Sequence, residues 1–463
     1  MPRSRLRRHP SSAASAPPAR GRLRVRGLIA ASAAASAAAL LLAGIQAPPA
    51  SADARSPEAE SSNFYDPPAK LPETDGALVR TEPLPLAASL PSIDGQRLPG
   101  TATRLMYKTT DSTGEPAAVT GAYIDPAASW RGEGPRPLVA VAPGTMGQGD
   151  GCSASKGLEH PIQLNGDSVS VGYEDIAIYR LLAAGAGVVV TDYIGLGTTD
   201  RPHTYVNRVD SGHALLDAVR AARALPGASI TPESRVGLYG YSQGGGAGAS
   251  AVELQPTYAP DVALAGAYVG APPADLTKVI GGIDGSALAG ALGWTLNGFL
   301  HTYPDLRPIA DEYLNDAGRS ALEDLATKCV GGGILGHAFT RSSDWTTTGQ
   351  SLGEIVQAEP RLQEVLDEQR IGTEKPATAV RVTSGVQDDL VAHAQTRQLA
   401  ADWCAQGAEL TYAPVRLPNL GDGLLLNHLA PLLLDQGKAV SWLKDRLTGE
   451  PASSNCDSLP EQP

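Results

Sequence analysis

The stretch Val236-Gly237-Leu238-Tyr239-Gly240-Tyr241-Ser242-Gln243-Gly244-Gly245-Gly246-Ala247-Gly248-Ala249 joins a short β-like run to a run of small residues that fits a tightly packed helix. Strand, G-x-S-x-G, helix is the context of a nucleophile elbow, in which the central serine is held on a sharp turn. Such a turn costs about 1–3 kcal/mol of backbone strain. It also brings the positions two before and two after the serine close together, so Gly240 and Gly244 are needed where a Cβ would clash.

Outward from the elbow, strand-like and helix-like runs alternate. Leu138-Val139-Ala140-Val141-Ala142 is a continuous apolar run suited to a strand covered on both faces, and it ends in Pro143-Gly144-Thr145-Met146-Gly147. An amphipathic run at 177–182 precedes the strand-like Gly187-Val188-Val189-Val190-Thr191-Asp192. The spacing of Leu215, Leu216, Val219 and Ala222 predicts a helix over 210–225. Leu264-Ala265-Gly266-Ala267-Tyr268-Val269-Gly270 reads as a further strand. Earlier, 105–110 and 118–124 predict an antiparallel pair. The pattern predicts an α/β chain with a mostly parallel sheet and helices on both faces.

The alternation stops between 275 and 375, where helix-like runs follow one another without a clear strand, as in an inserted helical cap. This insert reads as weak in large apolar residues, with Gly331-Gly332-Gly333 as a hinge. Alternation resumes with Val380-Arg381-Val382-Thr383, a helix over 394–404, a strand over 410–417 and a last helix over 431–447. The domain reading is therefore a leader at 1–52, an extended Pro/Ala/Ser-rich lead-in without a core of its own at 53–100, a first core part at 101–274, the cap at 275–375 and a second core part at 376–463.

The first 52 residues carry eight Arg and no acid, followed by the Ala-rich apolar run 28–45 and the small-residue site Ala50-Ser51-Ala52. That is the pattern of a cleaved export signal. The whole chain has a formal charge of −12; without those residues 29 basic side chains face 49 acidic ones, or −20. Such a surface does not suit nucleic acid or anionic headgroups. It suits an exported, extracellular protein with at most transient contact with a lipid surface. Cys152, Cys329, Cys404 and Cys456 have no metal-ligand spacing, and an even count in an exported chain implies two disulfides with three pairings open. The expected pairing is Cys152 with Cys329 and Cys404 with Cys456, the second stapling the C-terminal tail to a late helix.

Ser242 needs a base and the base needs an acid. On this architecture the order along the chain is Ser, acid, His. His301 and His337 fall in the cap, and His393 follows the acid segment too closely. His428 lies past the last strand, just before the last helix, and is the expected base. In Gly385-Val386-Gln387-Asp388-Asp389-Leu390-Val391 the acid is Asp388 rather than Asp389, because an acid, one residue and two apolar residues is the expected order. The oxyanion donors are the backbone N–H groups of Gln243, next to the nucleophile, and Thr145, in the loop after the early apolar strand. No metal or cofactor is called for.

Together these residues carry a family resemblance. Pro143-Gly144-Thr145 with Gly149-Asp150-Gly151-Cys152, Asp192-Tyr193-Ile194-Gly195-Leu196-Gly197, Leu216-Asp217-Ala218-Val219-Arg220-Ala221, Gly240-Tyr241-Ser242-Gln243-Gly244-Gly245 and Tyr258-Ala259-Pro260 form the first set. Asp388, His428 and Trp442-Leu443-Lys444-Asp445-Arg446 with Cys456 form the second. The chain resembles the secretory lipase family of lipase A-like and actinobacterial exported α/β-hydrolases. The resemblance implies an α/β-hydrolase fold, a Ser242–Asp388–His428 triad, a helical lid between serine and acid, hydrolysis of a small-molecule or lipid ester, and the same disulfide pairing. Ala392 departs from the proline that often follows the acid motif. An acyltransferase, a peptidase or a catalytically inert lipid-binding protein on the same fold are the alternatives.

Overall fold

In the computed structural model, which describes residues 64–91, 97–166, 168–461 and 463, nine strands pair into one sheet. They are β1 (Leu78–Leu84), β2 (Gly100–Thr110), β3 (Pro116–Pro126), β4 (Leu138–Ala142), β5 (Gly187–Ile194), β6 (Val236–Tyr241), β7 (Leu264–Gly270), β8 (Val380–Thr383) and β9 (Leu410–Tyr412). Their order across the sheet is β1-β2-β3-β5-β4-β6-β7-β8-β9. The first four neighbours pair antiparallel, and every pair from β5–β4 to β8–β9 is parallel. β4, β5 and β6 are buried at every position, as strands in the middle of a doubly covered sheet should be.

Two apolar layers cover the sheet. Leu215, Val219, Val252, Leu399 and Trp403, from helices Arg208–Ala224, Gln243–Tyr258 and His393–Ala405, pack on one face. Leu181, Leu182, Ala439 and Leu443, from helices Asp175–Ala183 and Leu426–Thr448, pack on the other. This is the α/β-hydrolase architecture.

Several details differ from the sequence expectation. The lead-in at 53–100 is not free of the core: β1 pairs with β2 at the sheet edge, and Phe64 and Tyr65 pack on Met106 and Ala118. β9 is only Leu410–Tyr412; beyond it Ala413 and Val415 keep three backbone hydrogen bonds to β8 and the segment after it, ending in an isolated bridge between Gly385 and Val415. The last helix starts at Leu426, so His428 sits in its first turn rather than before it, and Pro431 lies inside the helix, where its missing N–H removes one i to i−4 hydrogen bond. The export signal expected at 1–52 lies outside the described residues.

Between β7 and β8 the described chain folds into seven α-helices, from Leu276–Ile283 to Pro360–Glu368. Gly331-Gly332-Gly333 is not a hinge. It lies inside helix Val330–His337, where a Cβ would meet Val169 at 2.6 Å, Ser168 at 2.1 Å and Trp294 at 2.6 Å respectively. The three glycines are a notch that lets this helix lie flat on the hairpin Ile162–Asn165/Ser168–Val171 and on Trp294.

Two disulfides join Cys152 to Cys329 and Cys404 to Cys456. The first closes 177 residues and ties the turn after the Pro143–Gly147 loop to the start of helix Val330–His337. The chain-entropy argument gives about 3–5 kcal/mol for a loop of this length. A C152S/C329S double variant is expected to lose that order of stability in denaturant titration. C404S/C456S, closing 52 residues, is expected to lose somewhat less.

Candidate active site

Ser242 follows β6 and caps helix Gln243–Tyr258 with φ 58° and ψ −124°, a strained conformation for a non-glycine residue. The turn is as tight as the sequence requires. A Cβ on Gly240 would lie 2.0 Å from the Gly244 carbonyl oxygen, and one on Gly244 would lie 2.0 Å from that of Ala142. The serine N–H donates to the Gly270 carbonyl at 2.9 Å, which locks the elbow to β7.

Three side chains from distant elements meet at this edge of the sheet. His428 Nε2 is 2.9 Å from Ser242 Oγ, and His428 Nδ1 is 2.7 Å from Asp388 Oδ2. The other carboxylate oxygen, Oδ1, accepts the N–H groups of Leu390 (3.3 Å) and Val391 (3.1 Å). An acid that accepts from Nδ1–H leaves Nε2 with its lone pair toward the serine hydroxyl. Asp388 and His428 are both buried, and the Tyr241 hydroxyl donates to the His428 carbonyl at 2.7 Å. The neighbouring Asp389 takes a different part. It accepts from Gly423 N–H and Asn427 Nδ2, and so holds the loop that leads to His428. The three other histidines that follow the serine stay apart: His301 is exposed on the cap, His337 pairs with Asp324 at 2.9 Å, and His393 starts its helix, bonded to Ser384 at 2.7 Å and Tyr412 at 3.1 Å.

Gln243 is the first residue of its helix, so its N–H has no partner within the helix. Its side-chain amide is 2.9 Å from His203 Nε2. His203 Nδ1 lies 2.9 Å from the Ile194 carbonyl, so Nδ1 carries the proton and Nε2 accepts from the Gln243 amide. Burial pushes His203 down to about 4, which keeps it neutral and keeps that direction fixed. Thr145 is buried, with its hydroxyl 2.7 Å from Tyr205.

The loop carrying Thr145 is held by three residues outside the expected site set. Tyr193 OH donates to the Pro143 carbonyl at 2.6 Å, Glu174 Oε1 accepts the Gly144 N–H at 2.9 Å, and Tyr173 OH donates to the Thr145 carbonyl at 3.0 Å. Tyr193 belongs to the Asp-Tyr-Ile-Gly-Leu-Gly motif and has φ 69°. Nothing in the local sequence marks Tyr173 or Glu174.

Burial pushes the Glu174 carboxyl up to about 7, against the lowering effect of the Gly144 N–H and with a smaller upward push from Asp175. A carboxyl raised by folding holds its proton more tightly in the folded state. Its contribution is therefore complete below the ordinary carboxyl value of 4.5 and is lost as pH rises through about 7. The difference in unfolding free energy between wild type and E174Q is expected to change by on the order of 3 kcal/mol across that window. It should be flat on either side, in urea titrations at a series of pH values.

Beside Ser242 and Gln243 opens a pocket with a cavity volume of about 130 Å³. Leu276, Ile280, Leu292, Leu296, Phe299, Val365 and other aliphatic side chains of the insert form its walls, and none of the residues lining it is charged. The insert is therefore not weak in large apolar residues. They are spread over several short helices and gathered in three dimensions.

Comparison with known proteins agrees with this architecture. Residues 158–455 match the model of the family described as secretory lipase. A Mycobacterium tuberculosis protein named as a probable inactive lipase is 29% identical over 396 residues, covering 85% of this chain and 83% of that protein. Lipase A of Arthroderma benhamiae is 25% identical over 423 residues, covering 88% and 83%. The fold superimposes on the crystal structure of Candida antarctica lipase A in its closed state with a TM-score of 0.71, over 87% of this chain and 89% of that one, at 18% identity. A family match over more than half of the sequence, on this sheet and this elbow, makes the chain a member of the secretory lipase family, a family of lipase and esterase hydrolases.

Proposed function

We propose that the protein is an exported serine carboxylic-ester hydrolase that cleaves acyl esters, acylglycerols among them, through an acyl-enzyme on Ser242. The observation that carries this reading is the hydrogen-bonded series Asp388–His428–Ser242 opening on an uncharged apolar pocket. His428 Nε2 takes the hydroxyl proton as Oγ attacks the ester carbonyl. The N–H groups of Gln243 and Thr145 receive the negative charge that develops on the carbonyl oxygen. His428 then returns the proton to the leaving alcohol, and the acyl chain stays on Oγ in the apolar pocket. Water, losing its proton to His428, attacks the acyl-enzyme and releases the acid.

The name of the family, the secreted triacylglycerol lipases among its relatives and two disulfides support export. The acidic balance of the sequence supports a neutral ester substrate rather than a nucleic acid. The test is a fluorophosphonate probe followed by peptide mass spectrometry. The expected adduct sits on Ser242 alone, and an active enzyme that carries no adduct there would end this reading.

A further inference from the structure

We propose that Tyr173 and Glu174 are positioning residues for the oxyanion: they fix the peptide planes on either side of the Gly144–Thr145 peptide and so aim the Thr145 N–H at the reacting carbonyl oxygen. This rests on the ester-hydrolase reading and names residues that act through the backbone rather than on substrate.

The argument is one of consecutive peptide planes. A peptide plane is rigid, so fixing its N–H or C=O fixes the whole plane. The Pro143–Gly144 plane is held at both ends, its carbonyl by Tyr193 OH at 2.6 Å and its N–H by Glu174 at 2.9 Å. The Thr145–Met146 plane is held through the Thr145 carbonyl by Tyr173 OH at 3.0 Å. Between them lies the Gly144–Thr145 plane, which bears the donor. With both neighbours fixed, its rotation is limited to the dihedrals of Gly144 and Thr145. Glycine alone would leave that rotation loose. The Tyr173 ring closes the space instead, since a Cβ on Gly144 would sit 2.4 Å from its hydroxyl.

The energetics point away from a purely structural role. Glu174 is 4% exposed and its Oε2 is buried without a hydrogen-bond partner among the described residues. A buried carboxyl satisfied on one oxygen costs free energy that an apolar side chain of similar size would not. Burial also lifts the carboxyl to about 7, as expected where a group is kept for its site rather than for stability. What Glu174 supplies is one acceptor at one backbone N–H beside the nucleophile.

The test uses E174L, E174Q and Y173F in the full enzyme, with kcat and KM for a soluble nitrophenyl ester and Ki for an alkyl boronic acid. The boronic acid becomes tetrahedral on Ser242 and places an oxygen where the oxyanion forms. Removing an oxyanion donor outright costs about a hundredfold or more, so misaiming one should cost less. E174L is expected to lose about thirtyfold in kcat and Y173F about tenfold, each with KM within twofold. E174Q, which keeps the acceptor, should recover most of the loss. Ki for the boronic acid should rise in step with the fall in kcat. A merely structural role would lower the melting temperature without that parallel rise. Folded E174L and Y173F with kcat within twofold of wild type, or with unchanged boronate affinity, would overturn the proposal. Should E174L not fold, Y173F alone decides it by the same criterion. Failure here is distinct from failure of the ester-hydrolase reading, which would appear as activity surviving in S242A.

Discussion

Ser242→Ala is expected to lower kcat/KM for a soluble ester by about 10⁴- to 10⁶-fold while leaving the fold in place. The size follows from the geometry. Ser242 Oγ lies 2.9 Å from His428 Nε2, and removing it removes the atom that forms the acyl-enzyme. Residual rate then comes only from the oxyanion donors and substrate binding acting on water. Alanine inherits φ 58° and ψ −124°, so the strain of the elbow is unchanged and the stability cost should stay within about 1 kcal/mol. Steady-state kinetics and a thermal melt on the same preparation check both halves. Activity above a tenth of wild type would place the nucleophile elsewhere and favour another chemistry on this fold.

Asp388→Asn should cost about 10⁴ in kcat, and the surroundings of the carboxylate say why. Oδ1 accepts two backbone N–H groups, from Leu390 and Val391. An asparagine must put its carbonyl oxygen there, because an amide NH₂ would face two donors. Its NH₂ is then turned toward His428 Nδ1. The imidazole can only accept from it, so the ring proton moves to Nε2, which now points a hydrogen at Ser242 instead of a lone pair. The ring stays where it is and the base is lost. Nitrogen NMR of labelled histidine should show the exchanged tautomer. Asp389→Asn is the control. Asp389 accepts from Gly423 N–H and Asn427 Nδ2, so this change loosens the loop before His428, with a loss in kcat/KM of about tenfold or less and a lower melting temperature. Reversed sizes for the two variants would mean the acid has been misassigned.

The parts of the site legible in the sequence are those where one residue type is obligatory. Gly240 and Gly244 are forced by contacts at 2.0 Å, and the central strands are buried at every position and mostly apolar because both faces are covered. The order of serine, acid and histidine follows from which strand ends reach the same edge. The parts that were not legible depend on contacts between distant residues of ordinary type. β1 carries Arg80, Glu82 and Pro83 on an edge that needs no apolar run, so it does not read as a strand. The pocket walls come a few residues at a time from short helices, none conspicuous alone. Three consecutive glycines look like freedom in one dimension, and only the neighbours at 168, 169 and 294 turn them into a fitted surface. Tyr173 and Glu174 precede a helix of unremarkable composition, and their target lies about thirty residues earlier, across the sheet edge.

The covalent link at Cys152 and Cys329 bears on how a bulky molecule could enter. It pins one margin of the helical roof to the floor beside the oxyanion loop. The backbone bridge between Gly147 and Cys329 and the Gln148 amide, which donates to the Trp294 carbonyl at 3.2 Å, fasten the same margin. The roof cannot lift away as a whole. Any widening has to leave this seam in place, whereas helices Leu352–Ala358 and Pro360–Glu368, whose side chains also line the chamber, carry no disulfide.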